Sequence, residues 1–363
     1  MNRLIERTLA QVPGLVLGLS EGGKRDILAY GNRQVFGVDS SLPMSAQTSF
    51  DLGSITKILA TTAGLMALID TGALSLDDQA RRFLPEWNRT EKDEITVRDL
   101  LLHRSGLWEW RPLYIHSQDP MDSVRLIAET PLRYPLNFGR HYSDLGFISL
   151  GRILSKVSGE DLNASIVNLV LRPLQLSNTA FALPVSRTSI AATSFGDSIE
   201  KEMVISKVPY PVPEEMADFK NWREHLLVGE VNDGNAFHVF SGISGHAGLF
   251  STVDDLLTFG EAMNSSFRGE GQYSRKLTHE FLTTGPDVGQ QLGFRSWTDA
   301  HQSSTCEFFG HTGFPGVVLA FSPSHDCVIV LMTNRLHVQG VPLATELLWQ
   351  PFLSSIHKKS HSS

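Results

Sequence analysis

Ser54 and Lys57 stand three residues apart at the head of a helical pattern that runs from Ser54 to about Asp70 and ends at Gly72. Residues at that spacing share one helix face, so the amine can reach the hydroxyl. A serine at a helix N-terminus also meets unpaired backbone N–H groups and the positive end of the helix dipole, which favour a developing oxyanion. The run SITKILATTAGLMALID is apolar over most of its circumference, so the helix belongs in the interior. A lysine held there out of water has a depressed pKa and can take a proton near neutrality. The chemistry on offer is nucleophilic attack by Ser54 with Lys57 handling the proton. The bland alternative is an N-cap serine beside a snorkelling lysine, which the hydrophobic surroundings disfavour.

Gly18-Leu-Ser20-Glu-Gly22 competes on paper, because it matches the G-x-S-x-G nucleophile elbow. That elbow needs a strand, a sharp turn and then a helix. Here Lys24 to Tyr30 reads as a second strand, so Ser20 belongs to a hairpin around Glu21-Gly22-Gly23-Lys24 and is not a nucleophile.

The elements that must position Ser54 fall into three blocks. Strand signals run from Gly14 to about Gln34 and again at Thr48–Leu52. From Leu74 to about Phe259 the pattern is mostly helices and loops, with helices after Thr96, from Leu145 to Ser158 (stopping at Gly159) and from Asp254 to Asn264. A Pro-rich stretch between about Leu183 and Ala236 has weak periodicity and a possible role as a pocket wall. Strands return at Gln291–Trp297, Glu307–Gly310, Val317–Phe321 and Cys327–Thr333, and a helix from Leu343 to about Ile356 closes the chain. Strands from both ends bracketing a helical middle imply one antiparallel sheet built from both termini, covered by terminal helices, with a large helical insertion. The expected division is a discontinuous sheet domain of residues 1–56 and 285–363 around a mostly helical domain of 57–284, with the active site between them.

Composition narrows the function classes. The chain has 363 residues, 41% hydrophobic and 19% charged, enough for a sizeable core. The net charge of -8, without a basic tract beyond Lys358-Lys359, argues against a nucleic-acid partner. Two cysteines, Cys306 and Cys327, exclude a disulfide framework and multi-Cys zinc sites; they read as buried thiols in neighbouring strands, with a single bridge as the alternative. No H-E-x-x-H or carboxylate cluster appears, so neither metal nor cofactor is expected. No window approaches the roughly 20 apolar residues of a membrane span. Val12–Leu19 reads as a strand rather than a signal segment, so the expected location is cytoplasmic unless a leader has been removed. The terminal KKSHSS reads as disordered.

Four segments in order resemble the class C β-lactamase-like serine hydrolases, the superfamily that includes penicillin-binding proteins, D-aminopeptidases and esterases. They are Phe50-Asp-Leu-Gly-Ser54-Ile-Thr-Lys57, Leu100-Leu-Leu-His103-Arg-Ser105-Gly106-Leu107, His141-Tyr142-Ser143-Asp144 and Gly310-His311-Thr312-Gly313-Phe314. Ser244-Gly-His246 and Met332-Thr-Asn334-Arg335 are weaker matches. The resemblance spans roughly residues 10 to 350 and implies the serine β-lactamase/penicillin-binding-protein fold, α/β plus α. It further implies that Ser54 is acylated and that Lys57 and Tyr142 pass protons between Ser54, leaving group and water. The backbone N–H groups of Ser54 and Phe314 would form the oxyanion hole, and Asp144, His311, Thr312 and Gly313 would contact substrate.

Two departures from the lactamase pattern bear on the substrate. His311 stands where a lysine would bind a carboxylate, and a histidine is neutral over much of the physiological range. Asp144 stands where an amide is usual, and a carboxylate there raises the pKa of Lys57, which makes Tyr142 the more active base unless Asp144 turns aside to another partner. Both changes favour an esterase, or an amidase acting on D-amino-acid or peptidoglycan-derived peptides, over a β-lactamase or DD-carboxypeptidase. The rival of another class is a non-catalytic binding protein on the same fold. Intact Ser54, Lys57 and Tyr142 speak against it.

Overall fold

The computed structural model describes residues 1–37, 41–182, 189–299 and 306–356. Helix α1 (Asn2–Leu9) leads into strands β1 (Gly14–Glu21), β2 (Lys24–Gln34), β3 (Leu42–Pro43) and β4 (Phe50–Asp51). A helix with a wide π turn (Lys57–Thr62) continues as α2 (Ala63–Asp70). Helices α3 (Val97–Leu101), α4 (Pro120–Glu129), α5 (Asp144–Ser158), α6 (Leu162–Ile166), α7 (Ser198–Ser206) and α8 (Gly234–His238) follow. Then come β5 (Phe250–Ser251), α9 (Val253–Arg268), α10 (Arg275–Thr283), β6 (Arg295–Asp299), β7 (Cys306–Gly313), β8 (Val317–Ser322), β9 (Cys327–Thr333) and α11 (Thr345–Ile356).

The sheet runs β3-β2-β1-β9-β8-β7-β6 and every pairing in it is antiparallel. It is built from both ends of the chain, as the strand blocks imply, because β1 pairs with β9 from Leu15–Thr333 to Glu21–Cys327. The hairpin turn is the expected Glu21-Gly22-Gly23-Lys24, and Ser20 lies within β1 with its hydroxyl on Glu261 Oε1 (2.6 Å), so the elbow reading stays rejected.

Alternation buries both faces of the sheet. Leu15 and Leu17 of β1, with Val318, Ile329 and Leu331, pack under α1 and α11. Val16 of the same strand, with Val328, Val330 and Met332, faces α9 and the helical region. The division expected at 284 assigns α9 to the helical domain. Helix α9, longer than the expected Asp254–Asn264, lies directly on β1, β8 and β9 and belongs to the sheet layer. Its apolar stripe fits a sheet face as well as a helix, which periodicity cannot distinguish. Two smaller expectations also change. Cys306 and Cys327 begin β7 and β9, which β8 separates, so they are not on neighbouring strands. The piece expected at Thr48–Leu52 pairs as β4 with β5 in a separate two-stranded ribbon. The terminal KKSHSS lies outside the described residues.

Candidate active site

The nucleophile helix starts where β4 ends, and its entry is tightly fixed. Gly53 has a φ of +48°, a region open to glycine and costly for other residues. Asp51 accepts from the Gly53 N–H (2.8 Å) and, through its other oxygen, from Asn232 N–H (2.6 Å). From the opposite side, the end of β7 approaches so closely that a side chain at Gly313 would place its Cβ 2.2 Å from Leu52 O. This contact brings the Phe314 N–H beside the Gly53–Ser54 turn. Arg335 holds the carbonyl of the same residue, donating from Nε to Phe314 O (2.8 Å).

Lys57 is fully buried. Its ammonium donates to Ser54 Oγ (2.9 Å) and to the backbone oxygen of His246 (3.1 Å), and is ion-paired with the Asp144 carboxylate (2.7 Å). Burial pushes the Lys57 pKa down, but Asp144 and then Tyr142 more than offset it, so the net shift is upward. Lys57 is thus an ammonium in the resting site rather than the depressed amine its apolar helix suggests.

Tyr142 and Asp144 arrive together on the N-terminus of α5. Ser143 caps that helix, accepting from Gly146 N–H (3.1 Å) and donating to Trp108 O (2.6 Å). His103 braces the approach: its Nδ1 accepts from Ser143 N–H (2.9 Å) and its ring lies 4.5 Å from that of Tyr142. The Tyr142 ring sits 5.0 Å from Lys57 Nζ. Its hydroxyl is buried beside Ser54 and Lys57 without completing a well-aligned hydrogen bond. Burial raises the phenol's pKa above its ordinary value, against the opposing pull of the Lys57 charge.

His311 is 2% exposed, with Nδ1 donating to Thr312 O (2.7 Å) and Nε2 unpaired. Burial, then the charges of Lys57 and Arg295, hold its pKa well below the usual imidazole range, so it is neutral. Strand β6 ends its ladder at Arg295–Gly310, so the β7 backbone from His311 to Gly313 runs past it. Arg140 and Arg295 supply positive charge on this side. Arg140 Cζ lies 5.8 Å from the Tyr142 ring, and both guanidiniums depress His103 and His311. Asp287, the acid nearest in charge to Arg140, is taken by Arg104 at 2.7 Å, and Arg295 Nε is buried without a hydrogen bond.

Ser54, Tyr142 and Asp144 open onto a cavity of about 300 Å³. Phe314, 48% exposed, stands at its edge. Trp110, Met203 and Tyr210 give it apolar surface, while Asp51, Asp197, Glu200 and Asp233 make one wall acidic. Asp197 is bound to Arg223 (2.6 Å) and His238 (2.9 Å). Asp51 is pushed up to about 6 by burial. Glu200, accepting from Gly234 N–H (2.7 Å) and Tyr114 Oη (2.8 Å), is pushed up to about 8 by burial and by Asp233. Burial pushes Asp233 up as well, but His246 outweighs it and the net shift is downward. Of the weakly periodic stretch at 183–236, residues 183–188 lie outside the described residues, and the rest supplies Asp197, Glu200 and Asp233 of this wall. Among the described residues, no group of three or more His, Cys, Asp or Glu is placed to hold a metal ion, and no helix is long and apolar enough to cross a membrane.

Sequence reasoning reached Ser54, Lys57, Tyr142 and Asp144, which converge here, and Phe314 and Gly313, which meet the Ser54 turn. It missed the cavity acids, Trp110, Tyr210 and the Arg140–Arg295 pair, which no spacing links. The weaker match at Asn334 is a strand tie, accepting from Gly14 N–H and donating to Asn32 O and Arg33 O.

Comparison with known proteins agrees with this architecture. Residues 1–350 match the family described as Beta-lactamase. An N-acetylmuramyl-L-alanine amidase of Bacillus subtilis (strain 168) is 29% identical over 370 residues, covering 93% of this chain and 80% of the relative. A putative D-alanyl-D-alanine carboxypeptidase of Escherichia coli (strain K12) is 31% identical over 323 residues, covering 81% of this chain and 71% of the relative. The octameric penicillin-binding protein homologue from Pyrococcus abyssi superposes with a TM-score of 0.73 at 19% identity, covering 98% of this chain and 76% of that one. With the fold, the converging residues and the whole-chain match in agreement, this chain belongs to the Beta-lactamase family and is a hydrolase of the serine β-lactamase fold.

Proposed function

We propose that the chain is an amidase of short D-amino-acid or peptidoglycan-derived peptides, working through an acyl-enzyme on Ser54. The observation that carries this reading is that acids line the cavity while Arg140 and Arg295 lie by Tyr142 and His311 with no carboxylate paired to them among the described residues. The acidic cavity wall suits a substrate ammonium or hydrogen-bond donor, and the Arg140–Arg295 side suits a free carboxylate. Asp144, named from sequence as a substrate contact, lines the cavity but is already paired with Lys57, so the cation falls to the acids beyond it. The names of the curated relatives, an amidase and a carboxypeptidase of peptidoglycan-type bonds, point the same way.

In the proposed reaction Ser54 Oγ bonds to the scissile carbonyl carbon while the carbonyl π electrons move to oxygen. The N–H groups of Ser54 and Phe314 receive that oxyanion. The Ser54 proton passes to Tyr142 in its minor phenolate form, which Lys57 stabilises, and from there to the leaving nitrogen as the C–N bond breaks. Water then attacks the ester by the reverse route. A second reading, carboxypeptidase or β-lactam cleavage, is favoured by the two arginines alone, since they offer the cation that neutral His311 does not.

Two measurements test this. Mass spectrometry after fluorophosphonate treatment should place the adduct on Ser54, and folded protein without it would refute the nucleophile. Turnover should be faster on D-Ala-p-nitroanilide than on p-nitrophenyl acetate or nitrocefin. Nitrocefin as the fastest substrate would overturn the amidase reading in favour of the second.

A further inference from the structure

Ser244 Oγ, His246 and Asp233 form a hydrogen-bonded chain, Oγ to Nδ1 at 2.8 Å and Nε2 to Asp233 Oδ1 at 2.9 Å. The order is that of a hydrolytic triad. Ser244, however, is 2% exposed and does not line the cavity, so it has no approach to a substrate. The chain must act on something other than substrate.

What it touches is the strip of backbone beside the nucleophile helix. Thr61 Oγ1 donates to Gly245 O (2.7 Å), Lys57 Nζ donates to His246 O (3.1 Å) and Leu249 N–H donates to Thr56 Oγ1 (3.2 Å). On its other side the strip meets α5, where a Cβ at Gly245 would lie 2.3 Å from Phe147 O and 2.9 Å from Gly151 Cα. The strip is therefore wedged between the helix carrying Lys57 and the helix carrying Asp144. The His246 ring is 1% exposed and held at both nitrogens, which fixes the orientation of its residue. Asp233 anchors that ring and also caps α8, through Ala236 N–H (2.8 Å), while lining the cavity.

Resting on the catalytic reading above, we propose that Asp233 and His246 are positioning residues for Lys57. Their hydrogen bond sets the His246 carbonyl that holds the ammonium between Ser54 and Asp144, and it ties that carbonyl to the wall of the substrate cavity. Once Ser54 is acylated its oxygen is a poorer acceptor, so the carbonyl and Asp144 alone keep the lysine in place. The charged and titratable groups facing Lys57 are Asp144 and Tyr142 from α5 and its approach, His103, His311 from β7, Tyr210 and Asp233.

The test compares wild type, His246→Phe and Asp233→Asn in the full chain, reading melting temperature, the pH dependence of fluorophosphonate labelling at Ser54, and kcat and KM on D-Ala-p-nitroanilide. His246→Phe should lower kcat by about 10- to 100-fold, as a slightly misplaced catalytic group does, with KM within about twofold. A displaced ammonium stabilises the Tyr142 phenolate less, so the rising limb of labelling should move to higher pH. Asp233→Asn keeps an acceptor for Ala236 but weakens the tie to His246, so it should lower kcat by less while remaining folded. If His246→Phe does not fold, Asp233→Asn carries the test alone. An unmoved limb with wild-type kcat in a folded variant overturns the proposal, as does a change confined to KM. Wild-type protein that takes no label at Ser54 overturns the catalytic reading itself, so the two failures are told apart.

Discussion

The acids that line the cavity and the arginines beside Tyr142 and His311 are held in different ways. On the cavity side, Asp51, Glu200 and Asp233 are each fed by backbone N–H groups at loop ends and helix starts, with His246 balancing Asp233. On the other side, Arg140 rests on neutral Gln290 (2.8 Å) and Arg295 on no carboxylate among the described residues, beside two histidines that burial keeps neutral. Acids supplied with their own donors can persist in a cavity without a ligand, whereas the guanidiniums hold charge that a substrate anion would relieve. Between the two, Lys57 is held by Ser54, the His246 carbonyl and Asp144. On the proposed reading, the acids receive the substrate's cation or hydrogen-bond donor and the arginines its anion.

The largest effect tests the centre of that contrast. Ser54→Ala should reduce kcat by a factor on the order of 10⁴ or more, with substrate affinity by calorimetry little changed. Binding lost together with catalysis would mean that Ser54 does not act as nucleophile alone.

Arg295→Ala should raise KM roughly 10- to 100-fold for substrates ending in a free carboxylate, the cost of a lost charge-assisted contact. Substrates ending in an amide should be little affected, and an equal loss on both would deny the anion role.

Asp144→Asn removes the carboxylate that offsets the burial of Lys57. The lysine's pKa should then fall, and the rising limb of kcat/KM should move to lower pH by about one to two units. A limb that stays in place or moves upward would show that Asp144 does not control the proton.

The smallest effect concerns Glu200. Its folded pKa of about 8 lies above its ordinary 4.5, so the protonated form is the one that folding favours. Its stabilising contribution is complete below about 4.5 and is lost as pH rises through about 8. Glu200→Gln, neutral throughout, should differ least from wild type in melting temperature below about pH 4.5, gain on it between about 4.5 and 8, and keep a constant margin above. Parallel curves would remove Glu200 from the account of the wall.

The legible parts of this molecule are those that local chemistry dictates. The Ser54–Lys57 spacing is a helical repeat, the Gly22-Gly23 turn permits a two-residue hairpin, and Gly159 with a φ of +76° ends α5 where its pattern stops. The wall acids were not legible because they lie at positions 51, 200 and 233, on elements with no shared period. Lys57 shows two readings of one residue in conflict, one from its helix and one from Asp144. An apolar helix predicts a depressed amine, and the carboxylate that reverses the sign stands 87 positions away, as the difference between residues 144 and 57.

Sequence alone determined the nucleophile candidate, its lysine partner, the antiparallel sheet drawn from both termini and the family resemblance. These follow from periodicity, turn chemistry and ordered motifs, which are properties of neighbouring residues. Tertiary structure decided that α9 packs on the sheet and that at Lys57 the Asp144 charge outweighs burial. It also decided which acids line the cavity and that Arg140 and Arg295 lie by Tyr142 and His311. Each of these depends on the desolvation and Coulomb energy of groups far apart in the chain, and those energies exist only once folding has fixed the distances.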